Sequence, residues 1–303
     1  MEAKMKYKYL VILTIGVLTS FFYNPTSGFA LILDTADNFA VLGDSTVTNT
    51  GTSNVTGDLG LSSGPSVVGF AIPPANTVVE GAGSTGLVDG PGLVSQTIHI
   101  TDAVALQARN DAIVAYNGLA AMPSAMNLTG QNLGGLILTS GVYHFDTSAQ
   151  LTGALILDGQ GLDNAYWSFL IGSTLTTASS SSVALINQGS NNGVFWQVGS
   201  SATLGTDTSF IGNILADQSV ILNTNANILC GRAIALNGAV TMDTNDISAI
   251  CDSSLGLAGG LEFDQNGNVV PVSGASNAIP EPATMLLLGL GLLGARFKKN
   301  KTS

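Results

Sequence analysis

The stretch from residue 204 to residue 248 repeats itself three times. Leu204-Gly205-Thr206-Asp207-Thr208-Ser209-Phe210, Leu222-Asn223-Thr224-Asn225-Ala226-Asn227-Ile228 and Met242-Asp243-Thr244-Asn245-Asp246-Ile247 each place an apolar residue two positions before a threonine, followed by small or polar residues. The leading positions 204, 222 and 242 are 18 and 20 residues apart. That is the length of one turn of a β-solenoid, a fold in which each turn buries its apolar face by stacking on the next. Stacked parallel strands lie ~4.8 Å apart, so Thr206, Thr224 and Thr244 are expected to form a ladder at that spacing.

The same pattern extends in both directions. Strand-like runs follow one another from Leu133 to Ile250, among them Gly141-Val142-Tyr143-His144-Phe145, Tyr166-Trp167-Ser168-Phe169-Leu170-Ile171 and Gly193-Val194-Phe195-Trp196-Gln197-Val198. Runs that are apolar at every position suit strands buried on both faces. Short alternating runs from Asn38 to Val68 read as a first turn, with glycines at 43, 51, 57 and 64 as corners, and residues 69–94 as a Gly- and Pro-rich excursion. Trp167 and Trp196 sit in apolar runs and are expected in the core, and His144 reads as a packed or exposed strand residue.

Between these two blocks the period changes to that of a helix, about 100–120. Thr101-Asp102 supplies a cap, Ala103, Leu106, Ala108, Ile113, Ala115, Tyr116 and Leu119 an apolar face, and Gly118 and Pro123 the end. A single helix in a β chain is expected to lie along the solenoid and cover one face. His99, just before the cap, has no partner identifiable from sequence.

Leu175-Thr176-Thr177-Ala178-Ser179-Ser180, Val47-Thr48-Asn49-Thr50-Gly51-Thr52-Ser53 and, more loosely, Phe145-Asp146-Thr147-Ser148 join the repeat. The candidate surface is therefore a row of Thr50, Thr147, Thr177, Thr206, Thr224 and Thr244, with Thr52, Ser180, Thr208, Ser209, Asn227 and Asn245 beside it. Alternate strand residues share a face, so Thr206 and Thr208 are both expected to point outward. Threonine is stiff at χ1, its methyl orders nearby water and its hydroxyl bonds to it, so a flat lattice of threonines can hold an ice-like water layer. The plainer reading is that Thr, Ser and Asn merely suit exposed strands and corners. Against that stands the lack of Lys, Arg or Glu at these positions, since a solvated sheet normally carries some.

The ends carry targeting signals. Lys4, Lys6 and Lys8, the apolar run from Tyr9 to Phe22 and the small-residue ending Gly28-Phe29-Ala30 make a secretory signal peptide over 1–30. At the other end Ile279-Pro280-Glu281-Pro282 precedes a short apolar run, Ala283 to Ala295, and a basic tail of Arg296, Lys298, Lys299 and Lys301. This order resembles the PEP-CTERM sorting tail of Gram-negative bacteria. The resemblance implies recognition of Pro280, Glu281 and Pro282 by an exosortase, a transient membrane engagement, and delivery to the cell surface or extracellular matrix. The domain plan is then a signal peptide (1–30), a solenoid domain (31–252), a linker (253–278) and the tail (279–303).

Between the targeting segments, residues 31–278 hold Arg109 and Arg232 as their only basic side chains against 18 acids, a net charge of −16. Phosphate backbones would be repelled, which sets nucleic acid aside as a partner, and anionic membranes and polysaccharides are disfavoured. No cofactor is expected, no metal-ligand spacing occurs, and the acids are scattered rather than convergent as a glycosidase or lyase would need. The chain therefore reads as a non-enzyme. Cys230 and Cys251 could form one disulfide in an exported protein, two buried thiols being the alternative.

Asn38-Phe39-Ala40-Val41-Leu42-Gly43, Ser45-Thr46-Val47-Thr48-Asn49-Thr50-Gly51, Gly57-Asp58-Leu59-Gly60, Ala115-Tyr116-Asn117, Gly141-Val142-Tyr143, Ser168-Phe169-Leu170-Ile171-Gly172-Ser173-Thr174-Leu175-Thr176-Thr177 and Val194-Phe195-Trp196-Gln197-Val198-Gly199 resemble the microbial ice-binding (antifreeze) proteins. The resemblance spans about 35–250. It implies a mostly β fold, a discontinuous right-handed β-solenoid (β-helix) of triangular cross-section with one long α-helix packed alongside, and first strands, Phe39 to Leu61, that insert between or beside later turns. It also implies a monomer whose partner is the ice crystal surface. A non-enzymatic adhesion protein of the cell surface or matrix, built on the same scaffold, is the alternative.

Overall fold

A computed structural model describes residues 31–82, 86–124, 126–251 and 257–272. The expected signal peptide and the sorting tail with Pro280, Glu281 and Pro282 lie outside these residues.

Each turn of the chain visits three faces in order. Tyr166–Ile171 runs on the first, Leu175–Thr177 on the second and Ser182–Ile186 on the third, before Gly193–Val198 returns to the first. Every stacked pairing along the solenoid is parallel, for example Phe169 beside Trp196, Thr176 beside Thr203 and Ser182 beside Ser209. The turns stack around one apolar core because every second residue of each strand points inward. An aromatic column runs through it, Tyr143, Phe169, Trp196 and Phe210, with successive ring centroids 5.5, 3.9 and 4.9 Å apart. Trp167 and Trp196 are fully buried, and their indole N–H groups donate to the carbonyls of Leu138 and Ile211.

The solenoid is discontinuous in sequence. Phe39–Gly43 pairs with the end of Asn227–Ala235 through Val41 beside Ala233, Val47–Thr50 pairs with Val240–Asp243, and Asn54–Thr56 pairs with Asp246–Ser248. The first strands therefore stack beyond the last turns and continue them towards one end. The two interior arginines hold this junction. Arg232, 1% exposed, pairs with Asp37 Oδ1 at 2.6 Å, donates to the Asp37 carbonyl and donates to Asn213 Oδ1 at 2.7 Å. Burial pushes the Asp37 carboxyl up, and the Arg232 charge opposes that shift. Arg109 reaches from the helix to Asp44 at 3.0 Å and to the Leu236 carbonyl.

Helix α1 (Ala103–Ala120) lies along the first face. Its cap is Asp102, whose side chain accepts the Ala105 N–H at 2.8 Å. The buried stripe is Ala105, Ala108, Ala112, Ala115 and Leu119, so the helix approaches closely and packs on Leu42, Val142, Leu170, Phe195, Leu215 and Ile234. Of the expected apolar face, Ala103 and Leu106 are exposed instead, because the buried stripe begins at Ala105 and continues through Ala108 and Ala112. His99 does have a partner: Nδ1 lies 2.6 Å from Asp102 Oδ2 and the ring packs on Phe39. This covered face explains Phe169-Leu170-Ile171, where Phe169 and Ile171 join the solenoid core and Leu170 meets the helix side.

Residues 257–272 differ from the linker expected at 253–278. Leu261–Phe263 and Val269–Pro271 form an antiparallel hairpin whose Phe263 and Val269 pack beside Gly118 of α1. The polar loop Asp264 to Asn268 masks a hairpin signal of only three residues per strand.

Candidate functional site

With the first face covered, two faces remain open: a narrow second face, whose strands are mostly three or four residues long, and a broader third face. The threonine repeat falls on the corner between them. Each turn bends there through one residue of positive φ: Ser180 (57°), Asp207 (58°), Asn225 (58°), Thr244 (56°) and Gly51 (77°). Thr206 and Thr224 precede this residue, but Thr244 is itself the bend, because the turn beginning at Asp243 is one residue shorter. The expected ladder of Thr206, Thr224 and Thr244 is therefore out of step at its third rung.

Three expected surface residues point inward. Thr177, Thr208 and Asn245 are 3%, 1% and 1% exposed. A tight bend leaves backbone donors and acceptors inside the corner, and buried polar groups need partners. Thr177 Oγ1 accepts the Gly205 N–H at 2.8 Å, Thr208 Oγ1 donates to the Ala178 carbonyl, and Asn245 Nδ2 donates to the carbonyls of Asn223 and Ala226. Ser53 links this column to the inserted strands: it accepts the Asn245 N–H and donates to Asn49 Oδ1 at 2.6 Å. These residues hold the corner together and cannot touch a flat external surface. Alternation alone places Thr208 beside Thr206 on the outside, but the left-handed Asp207 between them reverses the direction.

Thr50, Thr52, Ser180 and Thr224 are exposed, and Thr206, Ser209, Asn227 and Thr244 are partly exposed along the same edge. Thr147 is exposed but sits elsewhere, on the corner between the covered and the narrow face. Several edge hydroxyls are already engaged: Thr224 donates to Asp243 Oδ2, Thr244 to Asp243 Oδ1 and Thr50 to the Met242 carbonyl. The Thr224 hydroxyl, followed by those of Thr244 and Thr50, holds the Asp243 carboxyl below its ordinary value.

Ser209 and Asn227 begin the broad face. They belong to a row in cross-strand register that runs Ala154, Ser182, Ser209, Asn227, then Asp246, Asn54 and Leu93. The Asp246 N–H donates to Asn227 Oδ1, and Asn54 Nδ2 donates to Asp246 Oδ1, so these side chains are fixed along the row. Beside it Ile137, Ile156 and Ala184 form a second row, and Thr139, Asp158 and Ile186 a third. Leu93, Ile137, Ile186 and Leu229 on this face are among the large apolar side chains left exposed. None of the positions in these rows is a lysine or arginine. Ala154, Ser182, Asn54 and the isoleucines are absent from the sequence-derived site; the alternation in Ser182-Val183-Ala184-Leu185-Ile186 was the available signal.

Cys230 and Cys251 form a disulfide, Cα atoms 5.7 Å apart, beside the bulge that interrupts the broad face between Phe210 and Ile211. Among the described residues no group of three or more metal-ligating side chains converges.

Fold and surface together define a class: a discontinuous β-solenoid, clamped by one helix, that turns a rigid face of methyls, hydroxyls, amides and a few carboxylates to solvent. The chain belongs to the ice-binding-like family, whose model matches residues 41–248. Residues 278–299 match the PEP-CTERM protein-sorting motif. An ice-binding protein of Nostoc sp. (strain HG1) is 47% identical over 298 residues, covering 98% of this chain and 97% of that protein. The crystal structure of an ice-binding protein from the Antarctic ascomycete Antarctomyces psychrotrophicus superposes with a TM-score of 0.61 at 33% identity, covering 74% of this chain and 100% of that one. The corresponding domain of ice-binding protein 1 from Shewanella frigidimarina gives 0.60 at 29% identity, with 73% and 97% covered.

Proposed function

We propose that this protein adsorbs to ice through its broad face and the adjoining edge, and so limits crystal growth and recrystallisation without performing any chemistry. The observation that carries the reading is the broad face itself. Ile137, Ile156 and Ala184 make a contiguous, at least partly exposed apolar row with Ile186 diagonal to it, and contiguous exposed apolar surface marks a place where something binds. Around it stand serine, threonine, asparagine and two aspartates, Asp158 and Asp246, on stacked strands that cannot deform independently, with no basic side chain in these rows. Such a face orders water without dispersing it. Ser180, Thr206, Ser209, Thr224 and Asn227, with Thr50, Thr52 and Thr244 at the margin, make up its edge; Ala184 and Ile156 lie at its centre.

A signal peptide at 1–30 and the sorting tail would carry this domain out of the cell to the surface or extracellular matrix, where it acts as a monomer. The test is ice recrystallisation inhibition and thermal hysteresis of the purified protein, beside Ala184→Tyr and Thr224→Tyr. The parent is expected to be active, with a several-fold loss in both variants, greater for Ala184→Tyr. A well-folded but inactive parent would instead assign the domain to surface adhesion. Full activity in Ala184→Tyr would remove the broad face from the proposal.

A further inference from the structure

The narrow face carries a row that the sequence repeat does not reveal. Gln150, Thr176, Thr203, Ile221, Thr241, Thr48, Val68 and Val88 stand beside one another in unbroken register across eight strands. After Gln150 every member is β-branched, every member is at least partly exposed, and none is charged. Branching at Cβ fixes χ1, so the methyls repeat at the strand spacing of ~4.8 Å with little freedom to wander.

A second observation separates this row from an ordinary exposed strand face. Several hydroxyls on the corner are engaged by the protein: Thr177 with Thr208, Thr224 and Thr244 with Asp243, Thr50 with Met242. The hydroxyls of Thr48, Thr176, Thr203 and Thr241 meet no hydrogen-bonding group among the described residues. All their hydrogen-bonding capacity is therefore directed at water. Thr174, one row over, is by contrast tied to Ser148 at 2.8 Å. The central row thus offers methyls at a fixed spacing with uncommitted hydroxyls between them.

We infer that the narrow face is a second ice-contacting surface, joined to the broad face along the corner of Thr206 and Thr224, so that the protein meets the crystal with two adjoining planes. This rests on the ice adsorption proposed above. Two rigid planes inclined to one another can match two different planes of one crystal, and a surface step between them can receive the corner. The helix is clamped on the remaining face and takes no part.

The experiment uses fluorescently labelled protein on a single-crystal ice hemisphere, with recrystallisation inhibition measured in parallel. Thr203→Tyr combined with Thr241→Tyr blocks the narrow face, Ala184→Tyr blocks the broad one, and a third protein carries all three changes. All are outward positions, and unchanged thermal unfolding confirms an intact solenoid. Each single-face variant is expected to keep part of the parent's ice pattern and to lose activity several-fold, while the triple variant binds no ice. If the narrow-face variant retains the parent's pattern and activity, or if Ala184→Tyr alone removes all binding, the second surface is refuted while adsorption through the broad face stands. A parent that binds no ice overturns both readings together.

Discussion

The Thr177 and Thr208 hydroxyls lie 2.9 Å apart inside the corner that joins the narrow and broad faces. Since Thr208 donates to the Ala178 carbonyl and Thr177 accepts the Gly205 N–H, the proton between them comes from Thr177. Two neighbouring turns are thereby tied through a chain of three donors. Thr208→Val keeps the shape of the side chain and leaves the Thr177 hydroxyl and the Ala178 carbonyl short of a partner. The expected cost is about 1–3 kcal/mol, read by urea unfolding, with ice recrystallisation inhibition unchanged. A loss of ice activity without loss of stability would put Thr208 on the working surface.

Thr244 turns its corner at a φ of 56°, where Asp207 and Asn225 do the same work in earlier turns. Left-handed backbone costs a β-branched residue about 1–2 kcal/mol relative to glycine. Thr244→Gly releases that strain but frees the unfolded chain, so a net gain of about 1 kcal/mol is expected in chemical denaturation. The next turn already has glycine at its bend, Gly51, where an added Cβ would come within 2.1 Å of the Thr244 hydroxyl. Gly51→Ala is accordingly expected to destabilise, and a neutral Gly51→Ala would contradict this packing.

The Cys230–Cys251 bridge closes a loop with a sequence separation of 21. Closing a loop of that size removes about 3 kcal/mol of unfolded-state freedom. Cys230→Ala with Cys251→Ala is expected to lower stability by about that amount in differential scanning calorimetry while leaving ice activity at low temperature in place. Identical unfolding of the parent with and without reductant would show that the bridge contributes nothing.

Acid is expected to weaken the solenoid in a defined window. The carboxyls of Asp146, Asp158, Asp163 and Asp243 are held below their ordinary value of 3.8, chiefly by hydrogen bonds from Asn127, Asn187, Ser190 and Thr224 respectively. Their pKa values are lower folded than unfolded, so the unfolded chain takes up protons first and stability rises with pH across the interval. The contribution is complete above 3.8 and is lost as pH falls through the lowered values. A pH series of Tm should be flat in these groups near neutrality and fall below about pH 4. A fall already complete above that range would assign acid sensitivity to other groups.

The solenoid, its turn length and its single helix were legible because periodicity reports them directly: apolar leads at 204, 222 and 242, then an alanine-rich stretch with an aspartate cap. The two-sided burial of Phe169-Leu170-Ile171 likewise pointed to a covered face. The direction of individual threonines was not legible. Thr206 and Thr208 have the spacing of two outward strand residues, yet the bend at Asp207 turns the second inward, and only φ distinguishes a strand from a corner. The narrow-face row was hidden for a related reason. Thr48, Thr176, Thr203 and Thr241 are separated by unequal lengths of chain, and the two ends of the sequence interleave, so register rather than repeat brings them together.

That interleaving also dictates when the domain can finish folding. Asn54 and Asp246, neighbours across one pair of strands, are 192 residues apart in the chain. Contacts of such long range must close large loops before they return any stabilisation, which slows folding. The first strands to emerge from synthesis can pair among themselves, Val41 with Leu59 and Val47 with Val67, but the turns they extend are not complete until the last one has been laid down. The seam between the two blocks of sequence is therefore the last part of the solenoid able to close.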